Sequence, residues 1–465
     1  MPMEITKKEI QHLYWRAGFG IQPGQLKSIE KLSREEIVDA LFSSSKNFIP
    51  LDADLGPLIT DRNKLSKQKR KELKKLDKKN IFKMNVLWMQ RMAETEAVLR
   101  EKITFFFHDH FAARINSPHG LLHLNNIVRE HALGSFSTML MEVSKSPAMI
   151  SFLNNKQNKK SHPNENFARE VMELFTLGRD NGYTEIDIQE AARSFTGWSY
   201  SKEGKFVFNE RVHDTDSKTF LGETGNFNGE DIINILLKQK QTARYLTEKL
   251  IEFLISRPLS KDQLEKFTGV FYDSGYDLSK LIRSVFLSDE FMAEESIGCR
   301  IKSPTELLVG ITKQFKIKYQ DPKPLIKLQS KLNQVLFFPP NVAGWQSGKG
   351  WIDSSTLMLR MQLSAILLNF GVIAWDEDGD TPEEANEILK KQRSRVSERV
   401  EKRFKAYPDW KFFETEIKSQ ESRLIDYLIQ PKLSAGAKAT IANSSEFSVK
   451  ERAIELVSLP EYQLC

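Results

Sequence analysis

The segment from Asn164 to Gly178 sets Glu165, Arg169, Glu170 and Glu173 among Phe167, Val171, Leu174 and Phe175. Burying a carboxylate or a guanidinium is costly unless it is paired, so a helix with several of them beside its apolar stripe is built around something polar. On a continuous α-helix Asn166, Glu170 and Glu173 share one face at spacings of four and three, and both acids point into the same volume. Two acids so placed can ligate a cation, or one can raise the pKa of the other until it serves as a general acid. An ion network with Arg169 and with Arg193 of the next helix is the structural alternative, and the spacing alone leaves both open.

Two other stretches carry titratable side chains at suggestive spacing. In Ile103-Thr104-Phe105-Phe106-Phe107-His108-Asp109-His110-Phe111, helical geometry puts His110 on the stripe of Ile103, Phe106 and Phe107, while His108 lies about 200° away around the axis. Both imidazoles reach one metal only if the helix ends or unwinds near Asp109. The loop His213-Asp214-Thr215-Asp216-Ser217-Lys218 offers another imidazole and carboxylate, either as ligands or as an Asx-type turn. The candidate catalytic groups are therefore Glu170, Glu173, Arg193 and His110. The candidate ligands of a divalent metal are His108, His110, Glu170, Glu173, His213 and Asp214.

Helices must position these groups. Ser146-Pro147 and Ser303-Pro304 place a capping side chain before a proline, Ser303 with Glu306 forms a capping box, and Thr184 with Asp187 forms another. Apolar periodicity predicts helices over about 5–17, 33–43, 82–111, 119–133, 164–177, 231–238, 241–255, 260–272, 278–287, 304–316, 323–336 and 354–370. One β-hairpin is expected near 198–208, turning at Glu203-Gly204. The fold class is mainly α: a multi-helical body over 1–375, an acidic turn at 376–380, and a charged helical C-terminal module over 381–465.

The chain has 465 residues and a formal net charge of +6. Between Asp61 and Lys79 ten basic residues face three acidic ones, so the excess sits in that run. No aromatic residues interleave these lysines as a stacking surface requires, so the run reads as a solvated face and no nucleic-acid partner is expected. The glycines of Leu221–Gly229 lack dinucleotide spacing, and Gly348-Lys349-Gly350 lacks the hydroxyl of a nucleotide-triphosphate loop. Two cysteines make neither a disulfide framework nor a haem attachment motif. No apolar run is long enough for a membrane span or a signal peptide, which gives a cytoplasmic placement, with export alongside a signal-bearing partner as the other route.

Several motifs in one order carry a resemblance. They are His12 to Gly20, Phe107 to Phe111, Asn164 to Gly178, Tyr183-Thr184 through Trp198, His213-Asp214 with Lys218, Ser303-Pro304 with Glu306-Leu307, and Asn341-Val342-Ala343-Gly344-Trp345. Together they resemble the bacterial group known as domain of unknown function 1800. The resemblance implies no established reaction. It does imply a setting, because such proteins are often encoded beside sulfatase-like or alkaline-phosphatase-like proteins with export signals, which makes one of these a candidate partner. Many members have histidine where this chain has Phe175, which puts in doubt any site that needs that imidazole. The leading expectation is an enzyme with a buried His/Glu/Arg site performing metal-assisted hydrolysis; the rival is a non-catalytic binding or assembly partner of the sulfatase-like or phosphatase-like protein, with its buried ions purely structural.

Overall fold

The computed structural model describes residues 5–60, 62–369, 405–417, 424–443 and 447–465. Among these, 22 α-helices stand against three two-stranded β-ladders, so the protein is mainly α. Capping accounts for many of the helix starts. Thr6, Ser33, Thr184, Ser260, Ser303 and Ser448 each accept the N–H of the third helical residue, whose own side chain returns to the cap.

The centre of the molecule is the helix Val98–His110, buried on nearly every side. Such a helix must satisfy its polar groups internally, and it does. The Glu101 carboxylate accepts from Trp88 Nε1 (2.7 Å), Arg129 Nε (3.0 Å) and Arg91 Nε (2.8 Å). Lys102 pairs with Glu306, and Arg300 Nη1 reaches the same carboxylate oxygen at 2.6 Å while Ser303 N–H takes the other at 2.9 Å. Lys302, one residue before that cap, places its ammonium over the Trp15 and Tyr462 rings and donates to the Tyr462 carbonyl (2.6 Å). These charges weld the N-terminal helix Lys7–Arg16, the central helix and the C-terminal segment into one core.

The expected helix over 82–111 is two helices, Lys67–Glu94 and Val98–His110. Thr95 adopts extended backbone and its hydroxyl accepts from Ala97 N–H, which redirects the chain. The basic run is the N-terminal part of the 28-residue helix Lys67–Glu94 and is solvated, as read from its composition. Ser146 caps the helix Pro147–Phe152 as its pairing with Pro147 implies, whereas the helices Pro23–Ile29 and Phe136–Lys145 lie outside the expected ranges.

The expected hairpin pairs Trp198–Tyr200 with Phe206–Phe208. A second, Lys218–Phe220 with Glu223–Gly225, occupies what reads in sequence as a glycine-rich loop, turning through Leu221 and Gly222 with positive φ. Gly229 starts the next helix where a Cβ would sit 2.4 Å from the Phe195 ring, so only glycine lets that helix close on Trp198.

The acidic turn at 376–380 and the start of the C-terminal module lie outside the described residues. What is described beyond 405 shares the core of the body: Ala406–Tyr407 pairs with Lys318–Tyr319, Phe413 stacks on Phe315 at 4.5 Å, and Leu464 bridges Ile301. Among the described residues no helix is long and apolar enough to cross a membrane.

Candidate functional site

The central helix runs unbroken to His110, with Phe111 as its C-cap, so the two histidines diverge. His108 Nε2 accepts the Phe337 N–H at 3.1 Å, and the ring packs on Trp88, Phe337 and Trp345. Burial, then Arg129 nearby, lowers its pKa to about 3. It is a neutral imidazole whose Nε2 lone pair is already used. Phe337 has φ +68, unusual for a bulky residue, and its N–H contact with His108 helps hold it there.

His110 faces the other way. Phe106, Phe107, Phe111, Phe136 and Phe175 enclose its ring, and Lys249 Nζ, from the helix Lys240–Leu254, stands 3.3 Å from Nδ1. Burial first, and then the Lys249 charge, hold the His110 pKa well below its ordinary value. With the ammonium donating to Nδ1, the imidazole proton belongs on Nε2, which is buried without a hydrogen bond of ordinary geometry among the described residues, although the Phe175 backbone lies near enough to favour the protonated ring. Leaving such a donor unsatisfied costs about 1–3 kcal/mol.

Between the two histidines lies Asp109, whose carboxylate turns to the Asn341–Trp345 loop. Its Oδ1 accepts the Trp345 N–H at 2.8 Å. Gly344, at φ +82, has no room for a side chain, since a Cβ would fall 2.1 Å from Asp109 Oδ1. Burial raises the Asp109 carboxyl to about 6 against the pull of that N–H and of Lys249. Lys249 is shifted the opposite way, below the ordinary lysine value by burial, with Asp109 and Glu252 opposing. No carboxylate among the described residues pairs with Lys249 within 4.0 Å, and both Lys249 and Asp109 keep partial contact with solvent. The Tyr245 ring lies 5.1 Å from the ammonium, and its hydroxyl donates to the Leu174 carbonyl.

That carbonyl belongs to the segment expected as one helix over 164–177. The segment is α only from Asn166 to Glu170 and a π-helix from Val171 to Thr176, with Leu177 N–H bonded to the Met172 carbonyl and the Thr176 hydroxyl to that of Val171. The wider turn opens the angle between Glu170 and Glu173 relative to an α-helix and swings Phe175 inward to 5.9 Å from His110. Glu173 pairs with Arg169 (3.4 Å) and Arg179 (3.1 Å), and Arg169 also holds Glu165 and Glu185. Glu170 has no such pair among the described residues; burial and then Glu173 raise its pKa.

Arg193 is not the counter-ion of these glutamates. Its guanidinium grips Asp214 through Nε (2.8 Å) and Nη2 (3.1 Å) and Glu190 through Nη1 (2.9 Å). Asp214 stays below the usual carboxylate range although burial pushes it up, because Arg193 and the Asp216 N–H bind its charged form. Lys218 donates to the Asp214 and Asp216 carbonyls, and His213 Nδ1 lies 2.9 Å from the Thr196 carbonyl. The ordered loop 213–218 is thus fastened to the end of the helix Glu185–Ser194 by its own charges.

The residues expected to form one site therefore occupy four places: His108 under Phe337, His110 with Lys249, Glu170 and Glu173 on the arginine-braced π-helix, and Arg193 with His213 and Asp214 at the second hairpin. The six candidate ligands do not converge, and among the described residues no group of three His, Cys, Asp or Glu side chains is arranged to hold a metal ion. The residues brought together with His110 are Asp109 and Lys249. Lys249 carries no local signal that separates it from a solvated lysine; Asp109 sits in a motif whose histidines drew the attention.

Comparison with curated proteins and with solved structures returns no match. The family model described as a protein of unknown function, DUF1800, matches residues 12–464, nearly the whole length, and the chain belongs to that family.

Proposed function

We propose that the protein is an enzyme that hydrolyses a polar substrate by acid–base chemistry at Asp109, His110 and Lys249. The observation that carries this is the half-buried Lys249, whose ammonium faces a neutral imidazole at 3.3 Å with no carboxylate ion-paired to it among the described residues. Lys302 also lacks a carboxylate but spends its ammonium on the Tyr462 carbonyl and two aromatic rings, whereas Lys249 faces an imidazole, which leaves its charge available for a developing oxyanion. Asp109, held at about 6, is largely ionised at neutral pH and basic enough to take a proton from an attacking water. His110 orients the amine rather than the water.

Chromogenic carboxylic, phosphate and sulfate esters provide the test. The expected result is turnover of one class with an acidic limb near pH 6, lost in Asp109→Asn and Lys249→Met while both variants remain folded. The non-catalytic alternative, an assembly partner of a sulfatase-like or phosphatase-like protein, predicts no turnover of any ester and retention of that partner by all variants. Turnover unchanged in both variants would refute the site.

A further inference from the structure

The solvated end of the helix Lys67–Glu94 is not evenly charged. At 100° per residue, Lys67, Arg70, Lys71, Lys74, Lys75 and Lys78 fall within an arc of roughly 140° and form a row about 16 Å long. Glu72, Leu73 and Leu76 lie on the remaining circumference. The five cations from Lys67 to Lys75 are exposed and Lys78 is half-buried, and none of the six makes an ion pair or side-chain hydrogen bond among the described residues. Of the two acids flanking the row, Glu72 accepts from Gln68 (2.7 Å) and Asp77 is held by Arg62 in a two-bond pair. Asp77 is neutralised by Arg62, so the six cations of the row are set against the single charge of Glu72 and remain in excess.

Like charges three and four apart repel, so this row weakens its own helix. The helix is anchored nonetheless, because its C-terminal half is buried through Trp88, Met89 and Met92. A fixed row of self-repelling charge is complementary to a dense anionic surface. Its makeup favours one kind. Reading a duplex uses arginine or lysine on guanine together with asparagine or glutamine on adenine, and the row has neither amide; single strands need aromatic platforms, which it also lacks. Lysines act as hydrated point charges, which suits a plane of lipid headgroups. We propose that this row docks the protein on an anionic phospholipid membrane, electrostatically and without insertion, since Leu73 and Leu76 lie away from the row.

The test is co-sedimentation of the full chain with vesicles of phosphatidylcholine alone or mixed with phosphatidylglycerol. The expected result is binding to the mixed vesicles only, falling steeply with added salt. The triple substitution Lys71→Gln, Lys74→Gln, Lys75→Gln should weaken binding by at least about tenfold. A control with Lys69→Gln and Lys79→Gln, off the row, should bind as the parent does, and thermal unfolding confirms that both variants fold. Equal binding to neutral vesicles, equal loss in both variants, or release from vesicles by duplex DNA at matched anion concentration would each overturn the proposal, the last by making nucleic acid the partner.

Discussion

Two clusters of charge lie at opposite ends of one helix, and they are built differently. Around Lys102 the Glu306 carboxylate is fully answered: it receives Lys102, Arg300 and the Ser303 N–H, which hold it far below the usual range even though burial pushes it up, while the neighbouring Lys302, with no carboxylate ion-paired to it among the described residues, spends its ammonium on the Tyr462 carbonyl and two aromatic rings. Around His110 the accounts stay open: an amine rests on a neutral imidazole, an imidazole nitrogen lacks a hydrogen bond of ordinary geometry among the described residues, and a carboxyl is raised to about 6. Lys102 and Glu306 of the first are fully buried, whereas Asp109 and Lys249 of the second keep partial contact with solvent. The two ends differ in how their charge is satisfied: a carboxylate ringed by donors at one, an amine facing an imidazole at the other.

The comparison breaks most visibly at Glu306. Replacement by Gln strands two buried cations, and a loss of about 3–5 kcal/mol in urea unfolding is expected. A loss under about 1 kcal/mol would mean that the cluster is not a strut. Gly344→Ala comes next, at about 1–3 kcal/mol for the positive φ alone, with further cost from the Asp109 oxygen it would strike; stability and the pH limb of activity should both change. Lys249→Met inverts the pattern of Glu306, with unfolding free energy unchanged or raised while activity disappears. Arg193→Lys should cost about 1 kcal/mol, by loss of the two-pronged grip on Asp214, and leave activity intact.

Acid titration sharpens the same contrast. The Asp109 pKa is raised in the folded state, so the protonated form is favoured there. Its contribution disfavours folding once pH exceeds the unfolded value near 3.8, and the penalty is complete above about 6. Asp109→Asn should therefore gain stability relative to the parent between those limits and hold the gain above them, as measured by urea midpoints across pH. His108 has the opposite sign, its folded pKa of about 3 lying below the ordinary value, so acid destabilises the parent and the Asn variant alike through that group. Only the difference between the two proteins isolates Asp109.

Much of the fold is legible in local chemistry. Ser303 with Glu306 and Thr184 with Asp187 are capping boxes in the structure as in the sequence, because a cap needs only four consecutive residues. Elements decided by distant contacts are not legible. The break at Thr95 and the π-helix at Val171–Thr176 interrupt apolar patterns that continue through them, and the Tyr245 hydroxyl that meets the π-helix comes from another part of the chain. The site was half legible for the same reason. His110 announced itself by lying on a core stripe, but its partner Lys249 is 139 positions away. Arg193 was matched to Glu170 and Glu173 by proximity in sequence, whereas Asp214 and Glu190 hold it in space.

The central claim, that Lys249 is an available amine and not a buried strut, is tested most directly by its reactivity. Pulse acetylation across pH, read by peptide mass spectrometry, compares Lys249 with the solvated lysines of 67–79 in the same molecules. Lys249 is expected to become labelled at lower pH than Lys71 or Lys75, and Asp109→Asn should lower that midpoint further. Labelling of Lys249 at the same pH as the solvated lysines, or at no pH below unfolding, would contradict the claim.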